Sequence, residues 1–245
     1  MSVDTAVILA AGLGSRIPEF SLNAPKGFIS IGGRPIIERS LDILVHHGLR
    51  RIIIGTGYRA MDFTALTKRH PGVHIECVFN GDYANSGSLE TLLLCTEGLD
   101  CDFVSLESDL LYDSRMIGCV LSAPYANVIL ASGETRSGDE VYIETNERSE
   151  LLRLSKDSGK LSRIDAELVG ICKLAAEIPS ALRQWLAQAG LGRPAQLHYE
   201  EGLVGIADSV SLHVEKVDLP WTEIDTMEHF ERANKLIWPR IESVE

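Results

Sequence analysis

The apolar and polar positions of the first half of the chain alternate between two periods. Thr5–Leu9 is a short unbroken apolar run, the pattern of a strand buried on both faces. An irregular stretch follows. Pro35 then opens an amphipathic helix that sets Ile36, Ile37, Leu41, Leu44 and Val45 on one face and stops at Gly48. Arg51–Gly55 and Val73–Phe79 read as further strands, with a helix over Ala60–Arg69 between them. A Leu-rich helix over Ser88–Thr96 leads into a fourth strand at Asp102–Leu106. This β-α-β-α-β-α-β order predicts an α/β fold with a parallel sheet, and right-handed crossovers make it a three-layer α/β/α sandwich.

After residue 126 the pattern changes. Asn127–Ser132, Glu140–Glu144, Leu151–Leu154 and Glu167–Leu174 read as strands separated by turns such as Ser137-Gly138 and Asp157-Ser158-Gly159. They predict a small antiparallel extension, so the sheet is mixed. Helices over Ile178–Ala189 and Leu197–Ala207 follow, then a strand at Ser211–Val217. A last helix over Thr226–Ile241 puts Met227, Phe230, Ala233 and Ile237 on its buried side. Repeats, low-complexity tracts and Pro/Ser linkers are missing, so one domain over 1–245 is expected.

Composition narrows the functional classes. Hydrophobic residues make up 45% of the 245 and the mean hydropathy is +0.06, values of an ordinary soluble chain with a core. The formal net charge of −12 comes without a basic stripe, which argues against nucleic acid as a partner. No apolar run approaches the roughly 20 residues of a membrane helix, and the N-terminus lacks the pattern of a signal peptide. The five cysteines have no C-x-x-C spacing and read as reduced packing residues, so the expected compartment is the cytoplasm. The seven histidines read as surface or capping residues. An acidic enzyme acting on a polyanionic nucleotide must gather its few cations locally or recruit a metal.

The first strand runs into Leu9-Ala10-Ala11-Gly12-Leu13-Gly14-Ser15-Arg16, where ligands gather in open α/β sheets. Glycines let backbone N–H groups approach phosphate oxygens closely. A Walker loop is excluded, because no Lys-Ser or Lys-Thr follows Gly14. A dinucleotide fingerprint is excluded by Ile17 at its third glycine. Pro18 and Pro25 keep the loop long and irregular, and Arg16 and Lys26 supply its cations. Standing alone, the same residues would also make a solvated surface turn.

Leu-Ala-Ala-Gly-Leu-Gly-Ser-Arg, then Ala-Pro-Lys, then Ile-Gly-Gly-Arg-Pro-Ile-Ile-Glu resembles the opening of the sugar-phosphate and alcohol-phosphate nucleotidyltransferases. The resemblance implies a Rossmann-like catalytic domain whose loop covers a nucleoside triphosphate, with Arg16 and Lys26 on the phosphates. Residues 1–126 would then be the nucleotide-binding half, and 127–245 the half that binds the acceptor and completes a metal site. Asp109, ending Phe103-Val-Ser-Leu-Glu-Ser-Asp, matches the aspartate that binds Mg²⁺ in that family. Asp225 in Trp221-Thr-Glu-Ile-Asp matches its second metal acid, with Glu223 as the substitute. Hard carboxylate oxygens suit Mg²⁺. Helix capping competes for both aspartates, and Asp225 with Glu228 would form a box-like cap.

Base recognition would fall to Gly87 and Ser88, assisted by Tyr58 and Asn85, all residues that also serve as turn or cap chemistry. Val78-Phe-Asn-Gly-Asp-Tyr-Ala, Glu140-Val-Tyr-Ile, Leu154-Ser-Lys156 and Glu223-Ile-Asp225 are most similar to the cytidylyltransferases for phosphocholine and 2-aminoethylphosphonate. The expected substrates are therefore CTP and a small phosphonate or phosphate acceptor. Acceptor binding is expected from Asp139, Glu140, Tyr142 and Lys156. A quaternary ammonium wants aromatic faces, whereas a primary ammonium wants carboxylates. Val141 stands where the phosphocholine enzymes tend to carry an aromatic, which favours 2-aminoethylphosphonate over phosphocholine. A nucleotide-sugar-forming enzyme and a non-catalytic nucleotide-binding domain remain the alternatives. The oligomeric state is open, a homodimer included.

Overall fold

The computed structural model describes residues 3–17, 20, 24–194 and 196–243. Pro18 lies outside the described residues. Its first strand, β1 (Thr5–Ala10), is buried throughout. Ala6, Ile8 and Ala10 face one apolar cluster, and Val7 and Leu9 face another on the opposite side of the sheet. Two cores sandwiching one strand are what the unbroken apolar run demands. Helix α1 (Ile36–His46) buries Ile36, Ile37, Leu41 and Leu44, and Gly48 turns the chain away at φ +91°.

The elements that follow are β2 (Arg51–Thr56), β3 (His74–Phe79), α2 (Ser88–Cys95), β4 (Phe103–Glu107), β5 (Leu110–Tyr112), α3 (Arg115–Ser122), β6 (Val128–Ser132), β7 (Tyr142–Thr145), β8 (Leu151–Ser155), β9 (Ala166–Leu174), α4 (Ile178–Gln188), α5 (Tyr199–Ile206), β10 (His213–Lys216), β11 (Trp221–Glu223), α6 (Met227–Arg232) and α7 (Trp238–Glu242). The main sheet runs β8-β7-β9-β4-β1-β2-β3, and β6 joins β9 to β10. β1 is parallel to β2 and β4, whereas β9 is antiparallel to β4, β6 and β7. The sheet is thus mixed and passes without a break from one half of the chain to the other. Among the described residues, no helix is long and apolar enough to cross a membrane.

Strand β9 carries a register shift between Leu168 and Cys172. Gly170 sits there at φ +88°, and a Cβ on it would come 3.1 Å from the Glu107 carboxyl carbon. The irregularity makes room for an acid on the neighbouring strand, a common use of a bulge beside a site.

Several elements depart from the sequence reading. The expected helix over Ala60–Arg69 is one α-turn, Ala60–Phe63, followed by a 3₁₀ turn, Thr64–Lys68. Its buried residues, Phe63 and Leu66, are three apart, the 3₁₀ period, and the Thr67 hydroxyl donates to the Thr64 carbonyl. The last helix is split by a π-turn, Ala233–Ile237. Pro239 has no N–H for the Lys235 carbonyl, and the Asn234 amide donates to the Phe230 carbonyl, so the regular ladder fails there. Ala233 and Ile237 are buried as expected, but Met227 is exposed because it stands on the first turn outside the third apolar cluster. Cys95 and Cys172 are buried packing residues, whereas Cys77 is exposed on edge strand β3. His213 and His229 are buried, unlike the surface histidines expected. β5 and β11, each three residues long, were not legible as strands; they pair antiparallel, Glu223 opposite Leu110.

Candidate active site

The carboxyl ends of β1 and β4 and the first half of the antiparallel β9 open into a cleft of about 630 Å³. One wall is the loop after β1, with Leu9, Ala10, Ala11, Gly12, Gly14, Ser15 and Arg16 lining it. Gly14 takes φ +66°, a left-handed conformation that a side chain would strain, and its carbonyl accepts the Ile17 N–H at 3.1 Å. Pro25 leads into a 3₁₀ turn over Lys26–Phe28. Gly27 lies against the Ser108 backbone, 3.1 Å from where its Cβ would be, so the turn sits directly on the end of β4. That contact delivers Lys26 to Asp109, Nζ to Oδ2 at 3.1 Å.

The β5–β11 ribbon brings the other acid. The Ile224 N–H donates to the Asp109 carbonyl at 3.0 Å, which joins two segments more than a hundred residues apart. Asp225, with no exposed surface, lies just beneath the cleft wall. Lys26 contacts both Asp109 and Asp225, and Arg16 contacts both Asp225 and Asp139. Lys156 completes the set, 2.6 Å from Asp139. Capping does not compete for Asp225: Thr226 is the N-cap of α6, and its hydroxyl accepts the His229 N–H at 3.2 Å.

Three cations thus face three aspartates, and four glutamates, Glu107, Glu167, Glu200 and Glu223, also line the cleft. Burial, together with Glu223, Glu200 and Asp109, raises Glu107 well above the ordinary carboxylate range, even though the Tyr199 hydroxyl donates to it at 2.7 Å. Burial, then the Asp109 charge, pushes Glu223 up to about 7. Burial also acts to raise Asp139, but Lys156 and Arg16 outweigh it and hold that carboxyl low.

Crowded hard oxygens fit a divalent cation. Glu107, Asp109 and Glu223 place ligand oxygens within 4.8 Å of one another, and so do Asp139, Glu223 and Asp225. Glu223 belongs to both trios. Asp109 and Asp225 share no trio of their own; they are linked through Glu223 and through Lys26.

Gly87 and Ser88 also line the cleft, where the Ser88 hydroxyl accepts the Tyr199 N–H at 3.0 Å. A Cβ on Gly87 would collide with the Leu197 carbonyl, so only glycine lets that loop approach. Tyr58 and Asn85 do not line the cleft. The Tyr58 N–H donates to the Ala11 carbonyl behind the loop, and the Asn85 amide donates to Asp82. Of the expected acceptor residues, Asp139 and Lys156 reach the cleft, but Glu140 and Tyr142 do not. The alternation of the strand turns Val141 inward instead, and Glu140 accepts the Gly138 N–H at 3.2 Å. The cleft also takes Trp221 and, beyond the residues that sequence reasoning assigned to the acceptor, Glu107, Glu167, His198 and Glu200. The positive-φ glycine opposite Glu107 was the one signal, and it shows only once β9 is paired.

The sequence profile of the MobA-like NTP transferase domain matches residues 6–171. The chain belongs to that family. Three curated relatives of this MobA-like transferase domain are bacterial. It is 33% identical over 132 residues to a CMP-5'-(3-aminopropyl)phosphonate synthase of Streptomyces rubellomurinus, covering 54% of this chain and 21% of the relative. It is 32% identical over 123 residues to a choline-phosphate cytidylyltransferase of Streptococcus pneumoniae, 50% and 52% of the two chains. It is 34% identical over 95 residues to a 2-aminoethylphosphonate cytidylyltransferase of Lancefieldella rimae, 39% and 38%. The matches therefore span about half or less of the length of these curated relatives. The MobA-like domain also superposes on the inositol-1-phosphate CTP transferase of T. maritima with a TM-score of 0.82 at 16% identity, over 100% of this chain and 97% of that one. That likeness establishes the mixed-sheet nucleotidyltransferase fold.

Proposed function

We propose that the protein is a CTP-dependent cytidylyltransferase that transfers CMP to 2-aminoethylphosphonate and releases pyrophosphate. The observation that carries the reading is Lys26 held between Asp109 and Asp225 at the floor of a glycine-lined cleft. Mg²⁺ would be held by Glu223 with either Glu107 and Asp109 or Asp139 and Asp225, and would there neutralise triphosphate charge. On nucleotide binding, Arg16 and Lys26 exchange carboxylate partners for phosphate oxygens.

The phosphonate oxygen of the acceptor attacks the α-phosphorus in line, a new P–O bond forms, and the bond to the β-phosphate oxygen breaks. That oxygen is already anionic at neutral pH, so no general base is required. Positioning and charge neutralisation by Arg16 and Lys26 supply the catalysis. The acceptor ammonium is served by the carboxylates of the β9 side, with Lys156 and Asp139 at the rim. Names of relatives that act on aminoalkylphosphonates support this choice. Phosphocholine is the second reading, because Trp221 lines the same wall and offers an aromatic face, and one relative is named for that acceptor.

A ³¹P-monitored assay with CTP against 2-aminoethylphosphonate and phosphocholine side by side tests both. The expected result is pyrophosphate and a mixed phosphate–phosphonate anhydride of CMP from the first acceptor. Turnover of phosphocholine alone selects the second reading, and turnover only of a sugar phosphate overturns both.

A further inference from the structure

We infer that His229 is a positioning residue that couples the two rims of the cleft; the inference rests on the cytidylyltransferase reading. His229 stands on the first turn of α6 and is only 4% exposed. The Asp225 backbone N–H donates to its Nδ1 at 3.3 Å. An N–H cannot accept, so Nδ1 carries the lone pair and the ring proton resides on Nε2. Nε2 lies 3.1 Å from the Ser137 carbonyl and donates to it. A single imidazole therefore ties the peptide of one metal-site acid to the loop that carries Asp139.

The neighbouring contacts extend the tie. Three residues along the same helix face, the Arg232 guanidinium donates to the Thr135 carbonyl at 2.9 Å. Thr135 in turn donates its N–H and hydroxyl to Glu167, a buried acid of the cleft wall. Alternate carbonyls of one loop segment, Thr135 and Ser137, are thus gripped from α6. A leucine would fill the same space without the cost of burying a polar ring. The imidazole is accommodated because each nitrogen serves a different rim. Asp139 and Asp225, which both contact Arg16, are kept at a fixed separation by this link.

Two conservative variants separate the halves of the link. His229→Asn keeps an acceptor near Nδ1 for the Asp225 N–H and loses the donor to Ser137. His229→Gln reaches a donor toward Ser137 and loses the acceptor. The expected split is an acceptor KM raised about tenfold in His229→Asn with kcat near wild type, and a kcat lowered about tenfold in His229→Gln with that KM near wild type. His229→Ala shows both. Amide hydrogen exchange provides a readout independent of turnover: His229→Ala should speed exchange at Asp225 and at Thr135 by about tenfold or more, leaving β1 unchanged. Equal effects of the Asn and Gln variants on both kinetic constants, or unchanged protection of Thr135 in the Ala variant, overturns the link. If the wild type turns over no acceptor with CTP, the functional reading fails and the exchange data alone decide.

Discussion

The two walls of the cleft are made from different materials. One wall is backbone: the loop after parallel strand β1, with Gly14 in a left-handed turn, Gly87 beside it packed on the Leu197 carbonyl, and only Arg16 and Lys26 for charge. The other wall is mainly side chain: Glu107 from the end of β4, Glu167 from the antiparallel β9, and Glu200 and Glu223 from late elements, with Asp139 and Lys156 at the rim. One wall thus offers shape and the other charge. Changes on the first should therefore act sterically, and changes on the second should depend on protonation and counter-ions.

The largest effect is expected at the acids that join the walls. Asp109→Ala or Asp225→Ala should lower pyrophosphate release on the order of 10³-fold with the fold intact by circular dichroism; turnover at the wild-type rate with Mg²⁺ would remove the metal assignment. Next, Gly87→Ala should raise the KM for CTP and destabilise the protein by about 1–3 kcal/mol, because the added methyl meets the Leu197 carbonyl. Thermal unfolding and CTP saturation curves check it, and a variant indistinguishable from wild type would deny that this wall is steric.

Glu223→Gln addresses the charged wall through pH. Glu223 is raised in the folded state to about 7 from an ordinary 4.5, so its contribution to stability is fully present below about 4.5 and is lost as pH climbs through about 7. The wild type, free of divalent cation, should melt at a lower temperature at pH 7.5 than at pH 5, and the Gln variant should flatten that difference. An identical pH profile in the two proteins would contradict it. The smallest effect belongs to Glu140→Gln. With that side chain turned from the cleft onto Gly138, the KM for an aminoethyl acceptor should change less than about twofold. A large rise would return Glu140 to the acceptor site.

The same contrast decided what could be read from the sequence. The loop glycines, Arg16, Lys26 and Asp109 stand in compact segments next to apolar strands, where local pattern alone also allowed a surface turn or a helix cap and the family resemblance singled them out. Asp225 was found by its motif, but its release from capping depends on Thr226 taking that role. Glu107, Glu200 and His229 acquire meaning only from partners far along the chain: Gly170 opposite Glu107, Tyr199 on its carboxylate, and Ser137 across from the imidazole. The strands β5 and β11 are too short to show a period of two. Glu140 and Tyr142 were misjudged because the inward face of that strand depends on its pairing register.

The three-residue ribbon of β5 with β11 has a consequence for biosynthesis. A nascent chain that has emerged only as far as β10 already owns its phosphate loop and the whole central sheet, but Asp109 still has no opposite number. The acid cluster is therefore completed in one late event, when the ribbon zips.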